Sequence, residues 1–177
     1  ILTSATLATS PGRAGLDFVA RRLGCPTAET LLLESPFRFE ERVALHVPAG
    51  LPAPDTEGFE GAAAREILRY VRRTRGGAFV LVTSYAMLNL LHGRCVEILE
   101  REGYLVLRQG GDLDRSRLLQ LFRENGNAVL FGADSFWEGV DVPGPALRLV
   151  ILCKLPFGVP TTPLNEARGE RARARGE

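Results

Sequence analysis

Four short apolar runs, AFVLV at 78–82, YLVL at 104–107, AVLF at 128–131 and LVIL at 149–152, are separated by stretches with helical spacing. No other feature limits the possible folds so much. Continuous apolar runs of this length are the pattern of strands buried on both faces. Between them, residues 60–73 set Ala63, Ile67, Leu68 and Val71 on one helical face, with arginines on the other, until Gly76 and Gly77 stop the helix. Residues 85–101 form a second amphipathic stretch that ends at Gly103, and residues 114–123 form a third. Strand and helix alternating through short connections predict an α/β domain, a parallel sheet covered by helices on both faces. Ligands of such sheets bind at the carboxyl ends of the strands. Functional residues are therefore expected in 83–85, 108–111, 132–141 and 154–160.

The first third of the chain is less regular. Residues 1–3 read as the end of a strand and 4–15 as a loop. Residues 16–23 read as a helix that Gly24 terminates as a C-cap. Residues 29–35 and 42–47 read as two short strands joined by a turn containing Pro36. Residues 49–58, with Pro52, Pro54, Gly50 and Gly58, read as a flexible loop. Near the other end, 165–175 is an arginine-rich helix candidate.

At 177 residues, with 45% hydrophobic and 24% charged residues, the chain fits one soluble globular domain. No apolar run approaches the roughly 20 residues needed to cross a bilayer. Residues 1–7 are too short for a signal peptide and lack a basic flank, so a cytoplasmic setting is expected. The chain opens without Met inside an apolar segment, which predicts an excised piece. Cys25, Cys95 and Cys153 are dispersed with no CxxC pair, and His46 and His92 have no HExxH neighbour, so no metal or iron–sulfur site is read here. A net charge of +1 excludes a polycation. Lys154 is the only lysine, and every other basic residue is arginine. Arginine forks onto phosphates, although a GC-rich genome gives the same bias.

The densest constellation is AVLFGADSFWEGVDVPG at 128–144. A buried strand runs into a loop holding Asp134, Glu138 and Asp141 beside Gly132 and Gly139. Such a loop suits magnesium, ribose hydroxyls or basic side chains, and glycine lets the backbone approach a ligand closely. Phe136 and Trp137 offer aromatic surface for packing or for stacking on a base.

Combination makes the pattern specific. Ser4-Ala5-Thr6-Leu7, then SFWEGVDVPG at 135–144, then LVILCKLPFGVP at 149–160 occur in this order. Through nearly its whole length the chain resembles the second RecA-like motor domain of the DinG/XPD-like branch of superfamily-two ATP-dependent DNA helicases. The resemblance implies that Ser4 and Thr6 couple the nucleotide site to the DNA track. It implies that Thr83, Ser84 and Tyr85 meet the phosphate backbone of a single strand, with Arg108 and Gln109 extending that contact. Glu138, Gly139 and Asp141 would face the interdomain cleft and sense nucleotide. The implied intact protein uses ATP and Mg2+, translocates 5′→3′ on single-stranded DNA, and pairs this domain with a first motor domain of the same chain. Residues 1–177 would supply one wall of the ATP cleft and half of the DNA groove, with residues 1–10 belonging to the preceding motor domain.

Several parts of such a motor are missing from the sequence. It contains no GxxxxGK[ST] loop and no DExH box, and the arginines of ARGERARARGE do not match the QxxGRxxR spacing of the family's motif VI. The chain alone is expected to show no ATPase activity and to bind nucleotide weakly at best, since phosphoryl transfer depends on those parts. The iron–sulfur cysteines of many relatives would fall in the first motor domain. Two other readings stay open: a nucleic-acid-binding RecA-like domain without catalysis, and an unrelated metal- or nucleotide-dependent α/β enzyme whose EGVD loop holds a metal.

Overall fold

All four side chains of Ala78–Leu81 (β1) are buried, which requires a strand with neighbours on both sides and helices on both faces. That is the arrangement found in a computed structural model, which describes residues 1–4, 7–10, 13–156 and 162–174. The chain divides into two compact units, Ile1–Val47 and Pro48–Glu177.

In the second unit, Phe59–Thr74 (α3) precedes β1. Tyr85–Arg101 (α4), Leu105–Arg108 (β2), Arg115–Glu124 (α5), Ala128–Gly132 (β3), Leu149–Leu152 (β4) and Pro163–Ala174 (α6) follow it. (The helices Asp17–Arg22 (α1) and Phe39–Arg42 (α2) belong to the first unit.) The strands form one sheet of order β2-β3-β1-β4, and every pairing is parallel. Alternate side chains of each strand point to opposite faces. Val80, Val129 and Phe131 pack on one face with Ile67 and Val71 of α3 and Leu88, Leu91 and Leu99 of α4. Phe79, Leu81 and Leu130 pack on the other with Leu118, Leu119 and Phe122 of α5. The expected two-faced α/β sheet is therefore present, with strand and helix bounds within a residue or two of the expectation.

Local chemistry fixes the ends of these elements. Ser84 caps α4 by accepting a hydrogen bond from the Met87 amide at 3.3 Å, and Asp114 caps α5 through the Arg117 amide at 2.9 Å. Arg75 closes α3 in the left-handed region, and the next residue, Gly76, has no room for a side chain because a Cβ there would meet the Asn127 backbone at 2.5 Å. At the amino ends of the strands Arg148 donates to the carbonyls of Thr74, Arg75, Gly126 and Pro145. One guanidinium thus satisfies backbone acceptors from three separate connections.

The first unit departs from expectation. A short 3-10 turn, Arg13–Leu16, leads into α1, and Gly24 terminates that helix in the left-handed region at φ 71° as anticipated. The strands expected at 1–3, 29–35 and 42–47 are not there. Residues 29–35 pair with no other strand, and Arg42 closes α2. Leu31, Leu33, Val43, Leu45 and Val47 are all exposed. Alternating apolar residues become a strand only when a neighbouring strand takes up their backbone groups, and the described residues of this unit supply none. Thr6 and residue 175 of the expected last helix lie outside the described residues.

Candidate functional site

Three of the segments singled out in the sequence meet at the carboxyl edge of the sheet, because β1, β3 and β2 are adjacent and parallel. Thr83, half-buried, and Ser84 follow β1, and Tyr85, 47% exposed, begins α4. Gln109 follows β2, and its backbone amide donates to the Phe131 carbonyl at 3.0 Å, prolonging the β2–β3 ladder by one residue. Its side chain Nε2 donates to the Tyr85 hydroxyl at 2.8 Å and to Ser135 Oγ at 3.0 Å, while its Oε1 accepts from the Ala133 amide at 2.7 Å. One carboxamide therefore joins the residues after β1, β2 and β3. Gly110 turns the chain beside it at φ 82°, where a Cβ would lie 3.2 Å from the Tyr85 ring.

Arg108 takes a different direction. Its Nη1 donates to Asn89 Oδ1 on α4 at 2.6 Å, so the guanidinium lies against the helix. His92, on the same helix, sets its ring edge-on to Phe131 at 5.4 Å between centroids. Burial first, and then the Arg108 charge, hold its pKa below the usual histidine value. Ser84 serves as the cap of α4.

The loop after β3 is held by its backbone. Trp137 Nε1 donates to the Val82 carbonyl at 2.9 Å, pinning the loop to the end of β1, while Phe136 is buried against Phe79. Arg115, the first residue of α5, donates to the carbonyls of Glu138 at 3.1 Å and Gly139 at 2.9 Å. Its guanidinium also lies 5.7 Å from the Phe136 ring centroid. Arg123, in the last turn of α5, donates to the Asp141 carbonyl at 2.6 Å. Eight residues of helix separate the two arginines, about 12 Å of rise. The loop thus starts at the carboxyl edge and descends along α5, which sets Glu138 and Gly139 near one end of that helix and Asp141 near the other.

Both acidic residues are exposed, and among the described residues neither carboxylate enters a hydrogen bond or ion pair. Arg148 is committed to four carbonyls at the amino ends of the strands and pairs with neither carboxylate. Gly139 has φ 65°, a conformation that the EGVD turn requires and that other residues resist. Among the described residues no three His, Cys, Asp or Glu side chains converge as a metal site. A magnesium ion would therefore need its ligands from elsewhere, and Glu138 and Asp141 do not form a shell for one. Ser4 is exposed and lies in the first unit.

Sequence reasoning missed the roles of Arg115, Arg123 and Arg148. Each binds main-chain oxygens 18 or more residues away in at least one contact, and carbonyls leave no compositional trace. The Ser135 hydroxyl was visible only as a member of its motif.

An all-parallel sheet with helices on both faces, its glycine-containing acidic loop and bridging glutamine at the carboxyl edge, is an α/β domain of the class whose ligands bind at the carboxyl ends of the strands. Residues 67–177 match the family model of the helicase C-terminal domain, and the chain belongs to that family. It is 39% identical to the ATP-dependent DNA helicase YoaA of Escherichia coli (strain K12), over 99% of this chain and 27% of that protein. The 3'-5' exonuclease DinG of Bacillus subtilis (strain 168) is 33% identical over 100% of this chain and 19% of its own length. The ATP-dependent helicase DinG of Mycobacterium tuberculosis (strain ATCC 25618 / H37Rv) is 36% identical over 99% and 26%. The chain spans about a quarter or less of these relatives. Among the described residues no helix is long and apolar enough to cross a membrane.

Proposed function

We propose that this chain is the second motor domain of a cytoplasmic ATP-dependent DNA helicase that moves 5′→3′ on single-stranded DNA. Its carboxyl-edge residues Thr83, Ser84, Tyr85 and Gln109 belong to the DNA track. Glu138, Gly139 and Asp141 form one wall of the nucleotide cleft, and Ser4 and Thr6 link the two. ATP and Mg2+ bind mainly to a first motor domain of the same polypeptide, which carries the phosphate loop and acidic box that this sequence lacks. Residues 1–10 belong with that domain. The exposed Leu31, Leu33, Leu45 and Val47 suit contact with such a neighbour.

The observation that carries this reading is the meeting of Tyr85, Ala133 and Ser135 at adjacent strand ends through the Gln109 side chain. Hydroxyls and amides so placed suit contact with a phosphate backbone, which positions a strand without reading its bases. The chain's share of its relatives' length suits a domain within a larger motor. ATP hydrolysis by the full-length polypeptide should rise several-fold on addition of single-stranded oligonucleotide. It should stay at its basal rate for this chain alone. Turnover indifferent to single strands in the full-length polypeptide, or robust turnover by the isolated chain, would overturn the proposal.

A further inference from the structure

We infer that Gln109 is a positioning residue that does not itself touch the strand: it sets the Tyr85 and Ser135 hydroxyls as a pair of outward donors for phosphodiester oxygens. This rests on the proposed reading of the carboxyl edge as a DNA track.

A glutamine side chain offers two N–H donors and one carbonyl oxygen. The Ala133 amide can only donate, so the atom facing it at 2.7 Å must be Oε1, which fixes the orientation of the carboxamide. Nε2 then points both of its hydrogens away from Ala133, one to Tyr85 Oη and one to Ser135 Oγ. Both donors are consumed. Gln109 keeps only spare lone pairs, which a phosphate oxygen cannot use.

Each hydroxyl, having accepted from Gln109, directs its own proton elsewhere. Tyr85 and Ser135 are both exposed, so those protons face solvent or a ligand. The two N–H bonds of a planar amide diverge by about 120°, which sets the hydroxyl oxygens roughly 5 Å apart. That spacing lets both donate to oxygens of one phosphate group. A neutral donor pair of this kind selects acceptor-only oxygens and carries no base information. The same carboxamide joins Tyr85 to the loop that continues to Glu138 and Gly139, so a shift of that loop moves the strand-facing hydroxyl as well.

The test uses the full-length polypeptide and a fluorescent oligothymidylate, with affinity read by anisotropy and folding by thermal melting. Gln109→Ala should weaken binding roughly 5- to 30-fold, the loss expected for two misdirected neutral hydrogen bonds. The Tyr85→Phe/Ser135→Ala double variant should weaken it equally, and adding Gln109→Ala to that double variant should cost nothing more. The slope of log affinity against log salt should be unchanged in Gln109→Ala, since no cation is lost. Gln109→Glu keeps the shape and the Ala133 contact but turns both hydroxyl protons inward, so it should bind worse than Gln109→Ala at unchanged melting temperature. Additive losses, or near-wild-type affinity in Gln109→Glu, would overturn the positioning role while leaving the track reading intact. Failure of the wild-type polypeptide to bind the oligonucleotide would overturn both.

Discussion

Arg123 donates a 2.6 Å hydrogen bond to the main-chain carbonyl of Asp141, not to its carboxylate. The positive charge holds the loop in place and leaves the acidic group unused. Arg115 treats Glu138 in the same way. A loop whose backbone is secured by basic residues, while the Glu138 and Asp141 carboxylates stay unclaimed among the described residues, separates structural support from chemistry.

That separation predicts the behaviour of the carboxylates. In the full-length polypeptide, Asp141→Ala and Glu138→Gln should each lower DNA-stimulated ATP turnover by about tenfold or more, the order expected when a charged hydrogen bond is lost. Melting temperature should stay within a degree or two of wild type, because among the described residues neither carboxylate holds a hydrogen bond or ion pair. Wild-type turnover in both variants would refute a functional role. A melting loss in proportion to the activity loss would instead make the loop structural.

The supporting arginines should behave in the opposite way. Arg115→Ala and Arg123→Ala each remove bonds to loop carbonyls and should cost about 1 kcal/mol of stability. Amide hydrogen exchange should rise in residues 138–142, with α5 itself little affected. Trp137 is the sole tryptophan, so its emission should shift to longer wavelength in Arg115→Ala as the loop loosens. Unchanged exchange in both variants would show that the loop is held by other contacts.

Arg148→Ala should destabilise the domain by about 2–3 kcal/mol, since carbonyls from three connections lose one shared donor. Arg148→Lys should recover little, because an ammonium cannot span the same acceptors as a planar fork. Urea titration of each variant measures this, and a midpoint equal to wild type in Arg148→Ala would disprove it.

Cys95 and Cys153 make stability depend on pH at the alkaline end. Burial raises the Cys95 thiol to about 11 and Cys153 to about 12, from an ordinary value of 9.0, with each other's proximity adding to the effect at Cys153. The folded state keeps protons that the unfolded chain gives up near pH 9. The stabilisation is therefore complete below pH 9 and is lost as the pH climbs toward 11–12. Melting temperature should fall across that window, and less steeply in Cys95→Ala/Cys153→Ala. A flat profile in the wild-type chain would contradict it.

The legible and illegible parts of this chain differ for physical reasons. AFVLV could be read as a doubly buried strand because burial on both faces demands an unbroken apolar run. Tyr85 and Gln109 could be named as candidates, but not as hydrogen-bond partners, since 24 residues separate them. The false strands at 29–35 and 42–47 show the limit of periodicity. Leu31 and Leu33 alternate correctly, yet a strand also needs a partner ladder, which local sequence does not report.

The position of β4 has a consequence for handling the chain in solution. It borders the described sheet, paired only with β1, and it shows Val150 and Leu152 to solvent, each 49% exposed. An apolar, hydrogen-bond-ready margin is a template for a second copy. The only lysine, Lys154, stands two residues beyond as a natural guard, but its charge is answered by Asp55 at 2.9 Å. Concentrated stocks should therefore self-associate edge to edge, since a net charge of only +1 gives little repulsion between copies to oppose it.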